Sequence, residues 1–417
     1  MHSPIIPHVN SEIGELEAVI LHTPGPEVEN MTPANAERAL YSDILNLPVA
    51  HEEYLQFSEV LGKLTQTFQV KYLLGEILTD NTVKTDMIEK ICSHEQVGSI
   101  KEDLLGMAPE ELAAQLIEGV ALKRNTLTSF LSEERYALRP LHNFFFTRDA
   151  STTVFNEVMI SKMANKIRER ESLIMEAIFN HSSHFKANTC NPLTSKNTGT
   201  ETFIEGGDIL LAREDILIVG NGARSSTQGI DFLVEQMKKK EGKKHIVVQQ
   251  LPNFPESFIH LDMVFTLLDR HTCMTYDPMV RQETNYATIL LTIENGTVIE
   301  ISRQPGLLQC LKKLGMELEP VSCGGKDLWQ QEREQWHSGA NFFAIGPGKL
   351  MGYARNVHTL EELNKAGYHI IKASDVISGT RNLSDYDKYV VTIEGSELPR
   401  GGGGARCMTM PVRRKDL

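Results

Sequence analysis

Short runs of β-forming residues recur from one end of the chain to the other, and they constrain the fold more than any other feature. Residues 16–22, 70–74, 158–161, 209–212 with 216–219, 245–249, 263–268, 287–293, 342–345 and 389–393 all read as strands. Helical patterns lie between them. In 52–64 the apolar residues Leu55, Val60, Leu61 and Leu64 fall at helical spacing, and 167–179 and 229–239 behave similarly. Ile209-Leu-Leu-Ala, then Arg213-Glu-Asp, then Ile216-Leu-Ile-Val reads as a β-hairpin. Strands alternating with helices over the whole length predict a mixed α/β fold.

One segment departs from that alternation. From about residue 78 to 138 there is almost no β-run, and three sites look like helix entries: Asp80/Asn81, Ala108-Pro-Glu-Glu-Leu and Ser132-Glu-Glu-Arg. The expected division is therefore an inserted α-helical bundle, 78–138, between the two parts of an α/β unit, 1–77 and 139–417. With 417 residues, 41% hydrophobic and 23% charged, the chain can bury a large core without staples. The six cysteines, Cys92, Cys190, Cys273, Cys310, Cys323 and Cys407, show no CxxC pair, so neither a disulfide framework nor a zinc site is indicated. A net charge of −13 disfavours nucleic acid and anionic membranes and mildly attracts a cationic small substrate. The N-terminal residues lack a basic stretch followed by an apolar core, and no stretch approaches a membrane span in length, so a cytoplasmic protein is expected.

The most unusual stretch is GGGGARCMTMP, 401–411. Four ordered glycines carry a large entropic cost and need a local reason, such as close backbone approach; a flexible C-terminal linker is the plainer reading. Apolar residues after Cys407 are unlike a tail. Three tetrapeptides add charged groups. Phe146-Thr-Arg-Asp149, after Asn143, puts an Arg and an Asp in an apolar run expected as a strand, readable as a surface ion pair or as a site. Glu205-Gly-Gly-Asp208 permits close approach of a ligand, and a glycine turn between solvated acids explains it equally well. In Ile259-His-Leu-Asp262, strand alternation would put His260 and Asp262 on one face, as a simple hydrogen-bonded pair or as part of a site. A thiol nucleophile, an imidazole acid/base and several carboxylates together suit attack on a cationic carbon.

Taken in order, the motifs resemble the arginine deiminases, of the guanidine-modifying superfamily. Those that carry the resemblance are Ser11-Glu-Ile-Gly-Glu-Leu, Leu21-His-Thr-Pro-Gly25, Thr32-Pro-Ala-Asn35, Asn143 with Phe146-Thr-Arg-Asp149, Arg168-Glu-Arg-Glu171, Glu205-Gly-Gly-Asp208, Gly222-Ala-Arg224, His260-Leu-Asp262, Arg333-Glu-Gln-Trp336 and the glycine-flanked Cys407. They run from about residue 10 to residue 414 and include the helical insertion. The resemblance implies a pentein fold, a five-bladed α/β propeller of ββαβ units. It implies hydrolysis of L-arginine to L-citrulline and ammonia through a thiouronium on Cys407, opening arginine catabolism, with no metal or organic cofactor. In that family pattern His260 is the acid/base and Glu205 orients it, while Asp149 and Asp262 fork onto the guanidinium. Arg168 and Arg224 clamp the substrate carboxylate, and Leu40, Asn143 and Gly401 are further substrate contacts.

The chain differs from the family pattern at Tyr41-Ser42-Asp43, where many members have Phe-Asp-Asp, and at Thr23, where Arg is common. Gly402 stands where some members carry a mobile arginine, and Arg406 where the same members carry a histidine. The partner implied is L-arginine, with no nucleic acid and no membrane; a homo-oligomer stays open. The alternatives are another guanidine-directed hydrolase or an amidinotransferase, or a catalytically silent arginine-binding protein.

Overall fold

The computed structural model describes residues 3–31, 41, 43–194, 199 and 201–417. The structure is mixed α/β, as the alternating pattern predicts. Among the described residues the strands form six sheets, five of which share one local plan: an antiparallel pair with a further strand added in parallel. In the largest, Ile209–Arg213 and Ile216–Asn221 form the predicted hairpin, and the helix Thr227–Met237 crosses back to Lys244–Gln250, parallel to Ile216–Asn221. The hydroxyl of Ser226 caps that helix by accepting the Gly229 N–H at 3.1 Å. Two more antiparallel strands, Thr288–Glu294 and Thr297–Gln304, extend the sheet. The same plan recurs in Ser151–Val154, Glu157–Ile160 and Thr189–Cys190, in Phe265–Leu267, Thr272–Thr275 and Glu319–Ser322, and in Phe343–Gly346, Lys349–Tyr353 and Tyr389–Ile393.

The fifth sheet joins the two ends of the chain. Leu16–Leu21 pairs in parallel with Gln66–Gln69 and antiparallel with Met410–Arg414. Its near-continuous apolar sequence suits a central strand buried on both faces. Because Met410–Arg414 is held in the sheet, the segment before it is anchored in the interior. Cys407 belongs to an apolar cluster with Phe145, Phe146, Met263 and Tyr353.

Several local expectations change. Residues 70–74 are helical, inside Val70–Ile77, because Val70, Leu73, Leu74 and Ile77 recur at helical spacing and bury one face. Ser132 is not a helix entry; it closes the helix Leu127–Leu131, and its hydroxyl accepts the Glu134 N–H at 3.1 Å before the strand Tyr136–Leu138. The other two entries stand. Asp80 caps Asn81–Glu95, and Pro109 opens Pro109–Glu118. Phe146-Thr-Arg-Asp149 and His260-Leu-Asp262 are short helical turns, not strands, as the site geometry below explains. Within the helical segment, Ile88, Leu104 and Leu112 pack in one apolar cluster with Ile20 and Ile160 of the sheets and Ile174 of the helix Glu169–His181. Among the described residues, no helix is long and apolar enough to cross a membrane.

The closing strand is fastened by Arg414, which is fully buried. Its guanidinium donates to Gly14 O at 2.6 Å and Ala344 O at 2.8 Å and lies over the Phe343 ring. Arg414→Ala removes both charge-assisted bonds and strands two carbonyls, so it should cost on the order of 3 kcal/mol, read from the urea midpoint at unchanged slope.

Candidate active site

The glycine run is ordered, and close neighbours require two of its members and backbone conformation a third. A Cβ on Gly403 would lie 2.5 Å from the Phe146 ring, and one on Gly404 would lie 2.7 Å from both Cβ and Oδ1 of Asn341. Gly402 has φ +84°, a left-handed turn open to glycine. The chain thereby turns sharply into Cys407, whose sulfur lines a cleft with Asn143, Phe146, Asp149, Arg168, Arg224, His260 and Gly401. This is close approach, not a flexible linker.

Behind the thiol lies a buried charge network. Asp262 holds its carboxylate 3.7 Å from Cys407 Sγ, and Arg406 donates from Nη1 to Asp262 Oδ2 at 2.7 Å. The rest of the Arg406 guanidinium forks onto Glu12, with bonds of 2.9 and 3.0 Å, and reaches Ile209 O at 2.7 Å. Burial alone would raise the Glu12 carboxyl, but Arg406 brings it down to about 2. A planar, always-charged fork can serve two carboxylates at once; a lysine or neutral histidine cannot. The turn carrying Asp262 is fixed by Asp208, whose Oδ1 accepts the Leu261 N–H at 2.8 Å. A helical turn here lets His260 and Asp262 reach different parts of one cleft, which a flat strand would not.

Across the cleft, His260 lies between two acids. Its Nε2 is 3.0 Å from Glu205 Oε2 and its Nδ1 is 3.6 Å from Asp149 Oδ1. Gly207 makes room for it, since a Cβ there would sit 2.5 Å from Nδ1. Burial would depress the imidazole's pKa, but Asp149 and the Glu205 bond raise it to about 9. Glu205 is held below the usual carboxylate range against its own burial, chiefly by Arg224 and His260. Cys407 moves the other way: burial, then the charges of Asp262 and Asp149, push its thiol well above 9. The cleft thus favours a neutral thiol beside an imidazolium.

The two arginines differ. Arg168 is bidentate with Glu171 and donates to Asp149 Oδ2 at 2.7 Å, so most of its donors are occupied. Arg224 sits 3.6 Å from Glu205 Oε1, and its buried Nη1 makes no hydrogen bond. Asp149 Oδ1 likewise accepts none. Asn143, Gly401, Cys407 and the six titratable or charged residues predicted from the motifs, Asp149, Arg168, Glu205, Arg224, His260 and Asp262, all meet at this cleft or directly behind it. Leu40, like Ser42 and Thr32–Asn35, lies outside the described residues.

Sequence reasoning missed Asn341, which contacts the sulfur, and the partners Glu12, Glu171 and Asp208. Glu12, Glu171 and Asp208 each lie inside a motif already singled out, whereas Asn341 carried no such signal. Asp149, Glu205 and His260 present ligand atoms within 4.8 Å of one another, a spacing open to a metal ion. The same carboxylates keep a proton on His260, and an imidazolium has no lone pair to offer a metal.

Since folding raises the pKa of His260, its contribution to stability is complete below the unfolded value of 6.5 and disappears as pH rises through about 9. The difference in melting temperature between the parent and His260→Ala should therefore narrow from about pH 7 to about pH 10. A constant difference would mean the imidazole is neutral throughout.

The family model for arginine deiminase matches residues 37–414. Over full length, with all of both chains covered, the sequence is 33% identical to the arginine deiminase of Bacillus cytotoxicus and 31% identical to that of Limosilactobacillus reuteri. Among solved structures it is similar to the N-terminal domain of ArgZ, an arginine dihydrolase from the ornithine–ammonia cycle in cyanobacteria, solved bound to substrate. That likeness has a TM-score of 0.53 at 13% identity, covering 96% of this chain and 99% of that one. A dimethylarginine dimethylaminohydrolase is similar at TM-score 0.51 and 12% identity, covering 95% of this chain and 99% of the other. At such identities the structural likeness speaks to the fold, whereas the match along the sequence speaks to descent: the chain belongs to the arginine deiminase family.

Proposed function

We propose that the protein hydrolyses L-arginine to L-citrulline and ammonia, with a covalent thiouronium on Cys407, as the opening step of arginine catabolism in the cytoplasm. The observation that carries this reading is a single cleft combining a buried thiol, a protonated imidazole and carboxylates with an arginine nitrogen that lacks a hydrogen bond.

L-Arginine supplies what the cleft lacks. Its guanidinium fits between Asp149, whose Oδ1 accepts no hydrogen bond, and Asp262, whose Oδ1 lies 3.9 Å from Cys407 Sγ. These two charges hold the thiol neutral; a cation between them cancels their field, and the thiol gives up its proton to solvent as substrate binds, where the ammonia released later takes one up. Arg224, together with the one Arg168 hydrogen left over at Nη1, serves the α-carboxylate, with Asn143, Gly401 and Leu40 as further contacts. The thiolate then attacks the guanidinium carbon. His260 gives its proton to the departing amino group, the carbon–nitrogen bond breaks, and ammonia leaves a thiouronium. The neutral imidazole next takes a proton from water as the oxygen adds to that carbon. The carbon–sulfur bond breaks, the carbonyl forms as the hydroxyl proton passes to the departing sulfur, and citrulline separates from the restored thiol. Glu205 holds the imidazole through both transfers.

The five sheets of shared plan are read as the blades of a pentein propeller, with 78–138 as an insertion into a catalytic unit made of 1–77 and 139–417. The repeated antiparallel pair and parallel third strand support that reading.

Incubation with arginine, agmatine and methylated arginines, with products identified by mass, tests the substrate. Citrulline from arginine is expected; its absence would sink the reading. Cys407→Ala should abolish citrulline formation and leave the melting temperature nearly unchanged, and residual activity within about tenfold of the parent would remove Cys407 from the mechanism. Arg224→Ala should lower kcat/KM for arginine by on the order of 2–3 kcal/mol, roughly 30- to 150-fold, and scarcely affect any turnover of agmatine, which has no carboxylate. Equal losses for both would make Arg224 structural.

A further inference from the structure

Burial and two neighbouring carboxylates all disfavour a thiolate at Cys407. The Arg406 charge opposes them, and so does one neutral side chain in contact with the sulfur. Asn341 is 1% exposed and precedes the strand Phe343–Gly346. Its Oδ1 accepts the Arg406 N–H at 2.9 Å and the Cys407 N–H at 3.2 Å. Backbone N–H groups can only donate, so they decide which end of the amide is oxygen. Nδ2 therefore faces the other way, toward Asp262 O at 3.1 Å and Cys407 Sγ at 3.2 Å, with Met263 Sδ farther off at 3.7 Å. A donor aimed at the sulfur favours the thiolate over the thiol. The contact also explains Gly404, whose lack of a side chain lets the amide come this close.

We propose that Asn341 is a further catalytic residue of this site: its Nδ2 donates to Cys407 Sγ and stabilises the thiolate, while its Oδ1 fixes the sulfur's position through the amides of residues 406 and 407. The proposal rests on Cys407 being the nucleophile. Guanidinium binding relieves the carboxylate field, and the asparagine supplies the polar contact that remains with the sulfur once its proton has gone. One amide also ties the nucleophile's loop to the turn bearing His260 and Asp262, so the reacting groups keep their spacing.

Two variants test it. Asn341→Asp keeps the shape and the acceptor for the two amides but replaces the donor by an acid; Asn341→Ala removes both ends. The rate of iodoacetamide labelling at Cys407, located by peptide mapping and followed against pH without substrate, reads the thiolate fraction. In each variant that is folded by its melting curve, labelling should be at least about tenfold slower at neutral pH and rise along a curve displaced upward by about one unit or more. The kcat should fall about tenfold to hundredfold with KM little changed. Labelling at the parental rate in a folded variant would overturn the proposal, as would a parent whose Cys407 does not label at any pH. Loss of the fold in both variants would assign Asn341 a structural role and overturn it too. Labelling needs no arginine, so a parent that forms no citrulline defeats the proposed function while the Asn341 contact is still read.

Discussion

The site is organised around the guanidinium of Arg406, fully buried and forked between Glu12 near one end of the chain and Asp262 beside Cys407. A charge so deep is tolerable only when its donors are satisfied, and removing either acid would leave a buried cation short of a partner. The fork therefore holds three segments together: the N-terminal turn, the turn of His260 and Asp262, and the loop of Cys407. The hydrogen bonds from Arg406 to Gly207 O at 3.5 Å and to Ile209 O extend this to the start of the hairpin. Arg414 does the same at the far end of the strand Met410–Arg414, so the last strand is fastened on both sides.

Around that anchor, the electrostatics of the cleft are divided. Toward His260 the acids keep a proton on a nitrogen that burial would otherwise strip. Toward Cys407 the acids and burial act in the same direction and suppress the thiolate. One arrangement of carboxylates therefore favours an imidazolium at His260 and a neutral thiol at Cys407. The glycine run serves the same geometry from the backbone side, giving Phe146 and the Asn341 amide the space that a side chain would fill.

The sequence by itself determined a good deal. Alternation of short apolar runs with helical spacing was enough for a mixed α/β fold, because period and propensity are local properties. Its motifs were enough to single out Cys407, His260, Glu205, Asp149, Asp262, Arg168 and Arg224, because that chemistry needs those residue types. Local signals failed where two of them competed. Residues 70–74 are β-prone in composition yet helical in spacing, and packing of Leu73, Leu74 and Ile77 in the core decided between the two. At 146–149 and 260–262 the chain is apolar enough for a strand, but the site needs side chains fanned into one cleft, which a turn provides.

Only the tertiary structure decided how the charges are shared. Glu12 looks like any acid near a chain end, and Arg406 like any base beside a cysteine; their pairing spans 394 positions in the sequence. Asn341 carries no motif at all, since its function depends on two backbone amides and a sulfur some 66 positions away. Arg168 and Arg224 are alike in sequence, but neighbouring Glu171 occupies the first and leaves the second a nitrogen without a hydrogen bond. Residue type and period are written locally, whereas partnership between buried charges is settled by which segments the core brings together, and no short window of sequence contains that information.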